Sequence, residues 1–150
     1  MLSGWVSHVS AHGKAVVICI LVWGAAMIGF GLAVGLASRW PAVMLGVAVL
    51  MLTVGGAADM ASAAFRMSML QAAASDAVRG RLQGIFLVVV AGGPRVADVV
   101  HGASAAMVGT ATAAAGGGVL VVIGTVVAAL VVPSFVRYRV TTTTIDPRHR

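Results

Sequence analysis

Three ionisable residues stand inside long uncharged stretches of this chain, Asp59, Arg95 and Asp98, and a fourth candidate, Arg66, stands toward the end of one of them. At membrane depth such side chains are costly. They normally face a bundle interior or a watery cavity, where they contact solutes or relay protons. Asp59 lies seven residues before Arg66, about 10 Å along a helix and on about the same face. Arg95 and Asp98 are three apart and can pair on one helix face. Arg95 follows Arg81 by fourteen residues, which sets it about 20 Å into a span. On these depths Asp59 and Arg95 differ by roughly 10 Å and meet only if a helix tilts or breaks. Two roles stay open for these groups: a substrate or proton pathway, or a structural ion pair that pins the second and third helices together.

Gly92-Gly93-Pro94 precedes Arg95 directly. Proline removes a backbone donor and kinks a helix, so the spacing predicts an interruption here, either a hinge of the kind transporters use or a static kink. His101 comes about two turns after Pro94; as a lone histidine in a span it reads first as a polar packing contact. His8 and His12 are four apart with no third ligand nearby, so no metal site is expected. Cys19 sits in an apolar run and reads as a small packed hydrophobe. No Ser/His/Asp order, phosphate loop or dinucleotide fingerprint occurs, and neither enzyme activity nor a cofactor is expected. Gly116-Gly117-Gly118 reads as a flexible extracytoplasmic turn.

The elements that position these residues follow from composition. Of 150 residues, 60% are apolar and only 9% charged, against about a quarter charged in soluble chains. Mean hydropathy is +1.04. Ten Lys/Arg and four Asp, with no Glu, cannot supply the polar surface of a soluble globule, and the apolar content excludes a disordered chain. An all-α membrane protein with four transmembrane helices remains. The net charge of +6 fits cytoplasmic loops rather than nucleic acid. With three Trp, four Phe and one Tyr, no base-stacking surface is expected.

About 20 apolar residues cross a bilayer as a helix. The runs that satisfy this are about 15–37, 41–70, 82–111 and 113–136, with 1–14 as a cytoplasmic loop and 137–150 as a polar cytoplasmic tail. The segment 72–81, with Asp76, Arg79, Gly80 and Arg81, reads as a polar turn. Lys14, Arg66, Arg79, Arg81, Arg137, Arg139, Arg148 and Arg150 fall on the side of the termini, and Arg39 alone on the other. Eight against one places both termini in the cytoplasm. Gly31–Gly35 and Gly80–Gly84 are small-residue pairs that suit a packed bundle.

Three blocks together, Asp59-Met-Ala-Ser-Ala-Ala-Phe-Arg66, Asp76-Ala-Val-Arg-Gly-Arg-Leu-Gln-Gly84 and Gly92-Gly-Pro-Arg-Val-Ala-Asp98, give the chain a family likeness. It resembles the C-terminal part of major facilitator superfamily exporters, most closely the enterobactin-exporter-like branch. The resemblance runs from about Gly4 to Arg139, and Gly4 to Val16 is similar to the cytoplasmic loop before the ninth helix. It implies helices nine to twelve of twelve, a bacterial inner-membrane location, and proton-coupled export of a small molecule, with siderophores as the nearest class. His8, His12, Ser75 and Ala97 depart from the family pattern. Eight of its helices are absent, and the superfamily builds its path between two six-helix halves. The expectation is therefore a truncated, fragmentary or split transporter, partnered by the lipid bilayer and by a missing half or by further copies of itself. The alternative is a small four-helix membrane protein that oligomerises or packs against a partner without transporting.

Overall fold

The computed structural model describes residues 12–73 and 76–136. They form α1 (His12–Leu36), α2 (Pro41–Ala73), α3 (Asp76–Val108), α4 (Thr110–Val131) and the short α5 (Pro133–Val136). Four of these helices are long and apolar enough to cross a membrane, and the chain is an all-α four-helix membrane protein. At 1.5 Å per residue, the 25 residues of α1 span about 37 Å, more than the hydrocarbon core. Most of the large apolar side chains point outwards, for example Val99 (73% exposed) and Leu130 (75%). In water that surface would be untenable; against lipid tails it is the favourable one.

The helices do not close into a ring. α1 is the centre, packed on both α2 and α4, while α3 touches the rest chiefly through α4. Both α1 contacts are antiparallel: Gly29 meets Met51 and Gly55 meets Met27, while Gly24 meets Val122 and Gly31 meets Ala111 and Ala115. The α1–α4 contact depends on missing side chains. A Cβ on Gly31 would lie 2.6 Å from the Ala115 backbone nitrogen, and one on Gly118 would lie 2.6 Å from the Gly24 carbonyl oxygen. Without hydrophobic drive between helices in lipid, such close backbone approach is the main source of packing energy.

Several expected boundaries shift. Gly116-Gly117-Gly118 is no turn; it lies inside α4, where Gly118 packs on α1. The actual break is at Gly109, whose φ of 84° is a left-handed conformation that glycine adopts without strain. Gly92-Gly93-Pro94 does not interrupt α3. One proline forfeits one hydrogen bond, and in a membrane every other backbone group still gains most by staying helical. Of the polar segment 72–81, residues 72–73 and 76–81 are helical, and 74–75 lie outside the described residues. Asp76 opens α3. The fourth span ends at Val131 rather than 136, because Pro133 cannot donate to it and instead starts α5. α1 begins at His12, so Lys14 is helical and not in a loop.

Candidate functional site in the membrane span

α2 carries Asp59, Ser62 and Arg66 at spacings of three and four, so all three lie on one helix face. That face meets α1 and α4 around a cavity of about 220 Å³, lined also by Cys19, Ile20, Trp23 and Val121. Asp59 stands eighteen residues into α2 and fourteen from its end, so the cavity lies near mid-span. The Asp59 carboxylate sits 3.6 Å from the Arg66 guanidinium, with side chains 46% and 54% exposed (Asp59 has the larger value). This is longer than a tight charge-assisted hydrogen bond; the two charges are held near one another and remain accessible.

Ser62 is the unusual member. It is 1% exposed, and its hydroxyl has no hydrogen-bond partner. Hydroxyls elsewhere in the helices bond back to the carbonyl four residues earlier: Thr53 to Val49 at 2.8 Å, Ser104 to Val100 at 2.7 Å and Thr125 to Val121 at 2.7 Å. The Ser62 hydroxyl lacks even that bond. An unsatisfied buried hydroxyl costs about 1–3 kcal/mol. The arrangement therefore offers a carboxylate, a guanidinium and an uncommitted hydroxyl within one face, in otherwise apolar walls. It is suited to holding a small solute that both donates and accepts hydrogen bonds. His12 of α1 packs edge-on against Phe65 of α2 with ring centroids 5.6 Å apart, and its Nδ1 is buried without a hydrogen-bond partner.

Arg95 and Asp98 form a separate locus. They share a face of α3 as expected, but no ion pair joins them; among the described residues the close ionic contact is Asp59 with Arg66. Both side chains are exposed. Carried along α3 from the approach of His101 to Gly117, the antiparallel register brings Arg95 roughly level with Asp59, where the spacing had set them apart. They do not meet: among the described residues α2 and α3 share no substantial contact. Asp59 therefore pairs within its own helix and does not pin α2 to α3. His101 points elsewhere, into a cavity of about 290 Å³ shared with Trp23, Met27 and Phe30. Trp23 thus lines both cavities.

The expected cytoplasmic-turn residues Gly80 and Arg81 are exposed near the start of α3, and the side chains of Asp76 and Arg79 lie outside the described residues, as does His8. Gly92, Gly93 and Pro94 are exposed within the unbroken helix. Among the described residues no group of three metal-ligating side chains occurs. Sequence reasoning missed Ser62 and Trp23 as site members. For Ser62 the signal was present: it stands midway between Asp59 and Arg66 at helical spacing.

No family model, no curated protein and no solved structure matches the chain.

Proposed function

We propose that this chain is a transport module of the bacterial cytoplasmic membrane, with both termini cytoplasmic: part of a proton-coupled exporter of a small molecule such as a siderophore. The observation that carries the proposal is the Asp59–Ser62–Arg66 cavity, which holds an accessible carboxylate and a buried hydroxyl without a partner near mid-span. A carboxylate at that depth is a natural proton carrier, and the neighbouring donors can hold a polar solute beside it. The resemblance of three sequence blocks to major facilitator superfamily exporters supports the same reading. The open arrangement of the helices calls for further helices to complete a path, from the other half of a transporter or from further copies. With Arg66 left out because it lines the cavity, the basic residues stand seven to one on the side of the termini, which supports the orientation.

Everted membrane vesicles from cells producing the chain together with the missing helices of a transporter test this reading. Radiolabelled catecholate siderophore should accumulate when a pH gradient is imposed, and Asp59→Asn should reduce the initial rate at least tenfold at equal membrane yield. Gradient-independent or absent uptake at normal yield would favour the alternative, a four-helix membrane protein that packs against a partner without transporting.

A further inference from the structure

We infer that the uncovered face of α3 is the surface through which two copies of this chain join, with Arg95 of each copy paired to Asp98 of the other. Of the four apolar helices α3 is the one with none of its span buried. Arg95 and Asp98 lie nineteen and twenty-two residues into its 33, close to the centre of its apolar stretch Gly80–Val108. Both are exposed and neither has an ionic partner among the described residues. Bare to lipid, two charges at this depth are strongly unfavourable, so something polar must cover them.

The chemistry of the face selects the occupant. At about 100° per residue, Gly84, Ala91, Asp98 and Gly102 lie within roughly 60° of Arg95. His101, which lines the cavity toward α4, lies about 120° around the helix from Arg95, and Ala105 marks the edge of the face on the Asp98 side. A Cβ on Gly84 or Gly102 would meet nothing within 4 Å, unlike Gly31 and Gly118 in the filled α1–α4 contact. Small residues beside a polar group are what close helix pairing in lipid requires. The face carries one positive and one negative charge three residues apart, about 4.5 Å along the axis. A partner of single sign would satisfy one and repel the other. A second copy, inserted in the same sense and related by a two-fold axis along the membrane normal, sets Arg95 beside Asp98 of the other copy, and the same again in reverse. All four charges are then paired, and the interface is self-complementary as a two-fold contact must be. This inference does not rest on the transport reading.

Disulfide trapping of the full chain in its own membrane tests it. In a Cys19→Ala background, Ala91→Cys should form a disulfide-linked dimer on mild oxidation. Val100→Cys, about 140° around the helix from Arg95, should form at least fivefold less. Arg95→Asp and Asp98→Arg each set like charges across the interface and should reduce the Ala91→Cys dimer at least fivefold. The combined swap restores it. Should a single variant fail to accumulate alone, co-expression of the two, differently tagged, should recover both as a mixed dimer. Equal trapping at Val100→Cys, no self-linking at Ala91→Cys, or single charge changes without effect would each overturn the inference.

Discussion

Ser62 is where the chemistry of single residues departs furthest from a structural default. Its hydroxyl is buried beside two charged groups and bonds to neither them nor the helix backbone. Such an unsatisfied buried hydroxyl costs about 1–3 kcal/mol. Ser62→Ala is therefore expected to leave unfolding stability unchanged or to raise it by up to about 1 kcal/mol, measured by steric trapping in bicelles. A loss of more than about 1 kcal/mol would mean that the hydroxyl already has a structural partner. The spacing of Asp59, Ser62 and Arg66 was legible in the sequence, and the Asp59–Arg66 contact lies on the helix face that spacing indicated. What the sequence did not contain was the other wall. Cys19 and Trp23 enter the site through the α1–α2 register, which depends on Met51 fitting against Gly29 and on Gly55 against Met27, not on any local pattern. For the same reason the spacing misjudged Arg95: its level relative to Asp59 depends on how α3 lies on α4.

Among the elements, helix type and number were plain from the apolar runs, while the glycines were not. Gly116-Gly117-Gly118 and Gly92-Gly93-Pro94 looked like breaks because glycine and proline disfavour helices in water. In lipid the unsatisfied backbone is worse than the poor propensity, so both stay helical, and the real turn falls at the single Gly109. The packing role of Gly31 is testable against a neutral partner. A Cβ there meets the backbone of Ala111 and Ala115, which cannot yield, whereas at Gly46 it meets nothing within 4 Å. Gly31→Ala should cost about 1–3 kcal/mol through overpacking. Gly46→Ala should stay within about 0.5 kcal/mol, the range for substitutions away from packed features. Equal losses at the two positions would remove the close α1–α4 contact as the source of stability.

At the scale of the whole molecule, the four-span architecture was legible because it needs only length and apolarity. The spatial order, with α1 central and α3 outermost, was not legible, since apolar helices without a one-sided pattern do not announce their neighbours. That order bears on how the chain enters the bilayer as it is synthesised. Arg95 and Asp98 near mid-span oppose partitioning of α3 by roughly 5–7 kcal/mol together. Its eleven Leu, Ile, Phe and Val residues between Gly80 and Val108 favour partitioning by roughly 3–7 kcal/mol, before Gln83 and His101 subtract from that. As an isolated segment α3 is near balance between lumen and lipid. α4 has no charged residue and no such difficulty. In a translocon assay with glycosylation reporters, α3 alone should insert in about half the chains or fewer, given that balance. The α3–Gly109–α4 hairpin should insert in most of them. Efficient insertion of α3 alone would remove the imbalance. If the balance holds, the third span lingers at the exit of the translocon until the fourth arrives, and the charged centre of α3 makes its membrane entry a joint event rather than a sequence of independent ones.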